Sequence, residues 1–201
     1  MARPGFIEQD LEHLRMSLDR LYGLVRRILS RSLEGLRSGK PADVEELVQI
    51  AEEMKEIVEY TATLFIARYQ PLGEELREAL SAIRVSYDLY RIARYAREIS
   101  LLMTRTEGIQ PPDDVVEASR IAEEALVEAY KAYRENDEEL KRKVMAADDK
   151  VDKLYTARLD TLRTAGELPV RDVAALLALR HLERILDHET YITLSKESRQ
   201  I

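Results

Sequence analysis

The chain has 201 residues, 45% of them apolar and 34% charged, with a formal net charge of -7, 7 glycines, 6 prolines and no cysteine. That balance suits a folded helical protein of one domain or two small ones, and the absence of cysteine excludes disulfides and thiolate metal ligation. The acidic balance argues against general nucleic-acid binding, which depends on neutralising phosphates with a basic surface.

In the first segment Leu11, Leu14, Leu18, Leu21, Leu24, Val25 and Ile28 recur at helical spacing with charged residues between them. This predicts a helix over about residues 7 to 37. Gly39, Lys40 and Pro41 break it, and Asp43 is placed to cap a second helix running to about Gln70. Pro71 and Gly73 punctuate the chain before a third helix that continues through Leu102. Short connections force neighbouring helices to reverse, so the three make an antiparallel bundle.

The stretch EGIQPPDD, from Glu107 to Asp114, combines a glycine, two prolines and capping acids. It reads as a linker. A fourth helix runs to about Tyr133, and Asn136 and Asp137 mark a turn. A fifth covers about Glu138 to Thr164, and Gly166 and Pro169 precede a sixth. The second half thus repeats the first, giving an all-α chain of two tandem antiparallel three-helix bundles, residues 1–106 and 107–201, six long helices in all. The two units are expected to share an interface, because small bundles bury proportionally less surface than one fused body. No apolar run approaches a membrane span, the longest being pieces such as Val173 to Leu179, and the N-terminus has no signal-peptide hydrophobic region. A cytoplasmic protein without membrane insertion is expected.

Asp148 and Asp152 lie four apart on the fifth predicted helix, and Glu183 and Asp187 lie four apart on the sixth. Residues at that spacing share a helix face, with Cβ atoms about 5 to 6 Å apart. If the two helices pack antiparallel, four carboxylates converge, and such a density of like charge favours a bound hard cation or uptake of a proton. Oxygen ligation suits magnesium, calcium, manganese or iron better than copper. With 38 acids in the chain, acid pairs at this spacing are also common on solvated helix faces, so spacing alone leaves both readings open.

The corresponding positions of the first repeat read Val48, Glu52, Tyr90 and Arg94, which cannot build the same oxygen cage. One cation site is expected where the duplication suggests two. An Arg94–Glu52 pair is expected there, as an ordinary surface salt bridge rather than a replacement for the cation, and the cluster of Tyr87, Tyr90, Arg91, Arg94, Tyr95 and Arg97 alternatively reads as a site for an anion such as phosphate or for an acidic partner, or as packing and solvated charge. His13, His181 and His188 follow Asp10, Ala178 and Ile185 at spacing three, so the Glu-x-x-His motif of di-iron bundles is missing. His188, beside Asp187, is a candidate support for a metal ligand, a solvated or packed histidine being the more ordinary reading. There is no glycine-rich phosphate loop and no nucleophile with a paired base, so no enzyme activity is expected.

Several strings carry a family resemblance. The junction Ala67-Arg68-Tyr69-Gln70-Pro71, followed by Glu75-Leu76-Arg77, looks like the corresponding junction of the PhoU family of phosphate-uptake regulators. Tyr22-Gly23-Leu24-Val25 resembles that family's glycine-containing first helix, and ADDKVDKLY from Ala147 to Tyr155 resembles its fifth. Leu182-Glu183-Arg184-Ile185-Leu186-Asp187-His188 is similar to the family's ERIGDH signature, with Leu186 in place of glycine. The bulkier Leu186 is expected to alter helix approach or crowd the acids.

The resemblance covers nearly the whole chain and implies two three-helix bundles. It also implies divalent or trivalent cations such as iron, zinc, magnesium or manganese on carboxylate clusters, here Asp148, Asp152, Glu183 and Asp187. It further implies restraint of phosphate import and signalling through a phosphate-transporter subunit or a sensor kinase, and it allows a homodimer. The rival reading is a structural helical interaction module without bound metal.

Overall fold

The computed structural model describes residues 4–197. It contains six helices: α1 Pro4–Ser38, α2 Glu45–Tyr69, α3 Gly73–Arg105, α4 Asp113–Glu135, α5 Glu138–Arg163 and α6 Val170–Thr193. The predicted boundaries hold to within a few residues. The third helix runs three residues past Leu102, where the Thr106 hydroxyl donates back to the Leu102 carbonyl at 2.9 Å. Asp43 accepts from the Glu45 amide at 3.2 Å, one residue ahead of the α2 cap at Val44. Asp137 is a true N-cap of α5, accepting from the Glu139 and Leu140 amides and so satisfying two of the donors that a helix start leaves open.

Helices α1, α2 and α3 pack on one another, as do α4, α5 and α6, and the two units join through α1 with α4 and α3 with α6. Among the described residues, α2 and α5 touch only helices of their own unit, which leaves each with an outer face. The α1 stripe from Leu11 to Ile28 is buried as its spacing predicts. Buried residues of both units, including Leu21, Leu89, Leu126 and Leu182, belong to one continuous apolar core.

Polar ties cross the same seam. The Tyr22 and Tyr130 rings stack with centroids 3.9 Å apart, and the Tyr130 hydroxyl donates to Asp19 at 2.6 Å. Ser81 and Tyr133 share a hydrogen bond at 3.2 Å, and Arg37 pairs with Glu123 at 2.9 Å.

The linker is fixed by a close approach of two glycines. Gly39, which ends the first turn at φ +68°, and Gly108, at φ +71°, face one another so closely that a Cβ on Gly108 would overlap the Gly39 carbonyl. Only glycine meets both the left-handed backbone and the contact. In the second unit Arg158 closes the end nearest this linker, pairing with Asp114 of α4 at 2.7 Å and Asp172 of α6 at 3.2 Å.

Candidate metal centre

Asp148 and Asp152 project from α5, and Glu183 and Asp187 from α6, the two helices packing along their lengths. Asp148 is partly buried, Asp152 exposed and Glu183 only 8% exposed. The four groups lie within electrostatic reach of one another. Burial, followed by the charges of Asp187, Asp152, Asp149 and Glu183, pushes the Asp148 carboxyl up to about 6. Burial and then Asp187 also raise Glu183, against the opposing charges of Arg180 and Arg184.

The side chains do not close into a ready cage. Among the described residues, no three Asp, Glu or His side chains are disposed so that they could hold a metal ion as they stand. Instead Arg180 donates to Glu183 at 2.6 Å and Arg184 donates to Asp187 at 2.7 Å, each from one turn earlier on α6. Arg184 also lies 3.4 Å from Glu183. Both acids of the α6 pair are thus matched by guanidinium groups of their own helix. Asp148 finds no such partner: its Oδ1 atom is buried and accepts no hydrogen bond. That orphaned oxygen, in an all-carboxylate donor set, is the feature of the site that fits a hard cation.

Leu186, which stands where the family signature has glycine, is fully buried. It enters the apolar core and makes no part of the acid cluster.

The first unit resolves differently from the expected ion pair. No Arg94–Glu52 bridge within 4 Å forms among the described residues. Both groups act on the buried Tyr90 hydroxyl, whose pKa is raised first by burial and then by its hydrogen bond to Glu52, while Arg94 opposes. Tyr90 fills the place of Glu183, and Lys55 sits over its ring at 5.7 Å. Of the other basic residues in that cluster, Arg91 donates to the Tyr95 hydroxyl at 2.6 Å and Arg97 pairs with Glu45. His188 does not support the acid cluster through Nδ1. That nitrogen donates to Asp88 of α3 at 2.8 Å, across the seam between the units.

Sequence reasoning missed Glu189. It is fully buried, neither carboxyl oxygen has a hydrogen-bond partner, and burial, followed by the charge of Asp148, drives its pKa well above the usual carboxylate range. The signal was available in the helical register. Glu189 stands four residues after Ile185 and three before Ile192, at a core position where an acid is out of place.

Comparison with known proteins agrees with this architecture. The chain is 28% identical over 183 residues to the "Phosphate-specific transport system accessory protein PhoU homolog" of Archaeoglobus fulgidus, covering 90% of this chain and 88% of that one. It is 29% identical over 191 residues to the protein of the same name from Pseudomonas aeruginosa, covering 89% and 78%. Among solved structures, that of PhoU from Pseudomonas aeruginosa superposes with a TM-score of 0.79 at 24% identity, over 94% of this chain and 96% of that one. The phosphate transport system regulatory protein PhoU from Streptococcus pneumoniae gives 0.77 at 19% identity, over 94% of each chain. The family model for the PhoU domain matches twice, at residues 18–103 and 115–194, one match to each three-helix unit, and the chain belongs to the PhoU family.

Proposed function

We propose that this protein is an accessory regulator of phosphate transport that takes a hard cation on Asp148, Asp152, Glu183 and Asp187 and docks through its helices on a transporter subunit or a sensor kinase. Family membership supports the regulatory part, since its relatives are named accessory proteins of a phosphate-specific transport system. They are not named as enzymes. No described helix is long and apolar enough to cross a membrane, which suits a protein that meets its transporter from outside the bilayer.

The observation that carries the cation part is the buried, unpartnered Oδ1 of Asp148 amid the charges of its neighbours. A bound divalent or trivalent ion, whether magnesium, manganese, iron or zinc, supplies positive charge that carboxylate oxygens can ligate. The chain's own residues set how tightly. Glu183 and Asp187 pair with Arg180 and Arg184, so the arginines compete with a cation for the same oxygens. Ligation across α5 and α6 would stiffen the second unit, and a surface ordered in advance loses less entropy on docking.

The test is genetic and chemical together. Deleting the gene should raise phosphate uptake and polyphosphate content under phosphate-replete conditions, and the wild-type gene should restore both. Unchanged uptake in the deletion strain removes the regulatory reading. Elemental analysis of purified wild-type and Glu183→Ala/Asp187→Ala protein addresses the cation, because the double variant should lose stoichiometric metal. A second reading, a helical interaction module without metal, is favoured by one observation: Arg180 and Arg184 already answer Glu183 and Asp187. Wild-type protein purified without metal that takes up none on soaking would establish it.

A further inference from the structure

The two units provide an internal control for Glu189. Along α6 and α3 the fully buried positions coincide in register: Leu182 with Leu89, Ile185 with Ile92, Leu186 with Ala93 and Ile192 with Ile99. In that register Glu189 corresponds to Ala96, which is also fully buried, and Asp148 on α5 corresponds to buried Val48 on α2. These two positions are therefore Val and Ala in one unit, and Asp and Glu in the other. Packing does not require the acids, and burying carboxyls without hydrogen-bond partners opposes folding.

Three buried oxygens on these neighbouring helices accept no hydrogen bond, Oδ1 of Asp148 on α5 and both oxygens of Glu189 on α6, and the charge of Asp148 reaches Glu189. No basic group answers Glu189, for among the described residues Asp148 is the charge that acts on it. Arg180 and Arg184 serve the outer pair, Glu183 and Asp187. The acids thus form two tiers, an outer one matched by arginine and an inner one matched by nothing.

We propose that Glu189 is an inner carboxylate ligand, sharing with Asp148 a buried position for a hard divalent or trivalent cation beneath the outer acids. This rests on the cation reading of the α5–α6 acids given above. Asp148 belongs to both tiers, since its charge acts on Glu189 and is acted on by Asp152, Glu183 and Asp187. Because water and competing protein donors are excluded from the inner tier, an ion bound there is held more strongly than one bound by exposed acids alone.

The test uses the full-length chain, stripped of metal and titrated with MnCl2, read by calorimetry and by the electron paramagnetic resonance signal of free manganese. Wild type should bind Mn²⁺. Glu189→Ala, which copies Ala96, and Glu189→Gln, which keeps the side chain's shape, should each lower affinity at least tenfold or remove one equivalent of Mn²⁺. Metal-free Glu189→Ala should also melt above metal-free wild type, because an unpaired buried carboxyl has gone, and the stabilisation produced by Mn²⁺ should shrink in it. If both Glu189 variants bind Mn²⁺ as wild type does while Glu183→Ala/Asp187→Ala does not, Glu189 is a protonated core carboxyl and the inner site is refuted, with the outer site left standing. If wild type binds neither Mn²⁺ nor Fe²⁺ nor Zn²⁺, both readings fall together.

Discussion

At the scale of single residues, the acid cluster works by unequal compensation. Arg184 lies close to both Glu183 and Asp187, yet it is partly exposed, so the pairing contributes modestly, about 0.5 kcal/mol by the measure of comparable pairs. Its larger effect falls on ligand competition. Arg184→Ala is expected to lower the melting temperature of the chelator-treated protein slightly while raising its affinity for MnCl2, and unchanged or weaker Mn²⁺ binding would contradict that competition. Asp148 gives a pH dependence whose sign can be worked out. Its carboxyl rises from an ordinary value of 3.8 to about 6 in the fold, so between those values the folded chain binds more protons than the unfolded one and stability falls as pH rises. Asp148→Asn has no such charge to suppress. The metal-free variant should therefore match wild type near pH 4 and exceed it in stability at pH 7, the difference opening between about pH 4 and 6. A constant difference across that range would show that Asp148 is not strained by its neighbours.

Among the elements, two glycines separate local backbone preference from tertiary contact. Gly23 lies within α1, and a Cβ added there meets nothing within 4 Å. Gly23→Ala should raise stability by about 0.5–1 kcal/mol, the helix-propensity difference at an uncrowded site. Gly108 is the opposite case, with φ +71° and the Gly39 carbonyl where a Cβ would go. Gly108→Ala should destabilise by more than about 1 kcal/mol. Urea denaturation of the two variants checks both signs at once. Both helix termini are local: Asp137, at the expected turn, caps α5 through its own side chain, and Thr106 closes α3 through its hydroxyl on the Leu102 carbonyl.

At the scale of the whole molecule, the seam between the units is both apolar and hydrogen-bonded. The core passes through it without interruption, and the Tyr130–Asp19, Ser81–Tyr133 and His188–Asp88 contacts cross it. The two halves should unfold together, giving coincident urea transitions by circular dichroism and tyrosine fluorescence. Two separated transitions would make the halves independent domains. Tyr130→Phe deletes a hydrogen bond to a carboxylate without changing the packed ring, and should cost about 1.5 kcal/mol in that single transition.

The residues themselves show where sequence determined the outcome. Apolar spacing such as Leu11, Leu14, Leu18 and Leu21 marks helices, because a helix has a fixed period and must bury one stripe. Turn residues such as Gly39, Pro71, Asn136 and Pro169 mark where helices end or begin, because their backbone limits are local. The duplication followed from these, and with it the pairing of Asp148 and Asp152 with Glu183 and Asp187. Partner choice among those acids was not legible. Which oxygen Arg184 takes, that Tyr90 receives both Glu52 and Arg94, and that His188 reaches Asp88 a hundred residues away all depend on side-chain distances across helices. Glu189 is the clearest instance: its acid character is local, whereas its burial without a hydrogen-bond partner results only when α6 packs against its neighbours in the bundle. Periodicity is a property of one helix and is written along the chain, but burial and charge compensation belong to the assembled bundle, where the neighbours are set by packing.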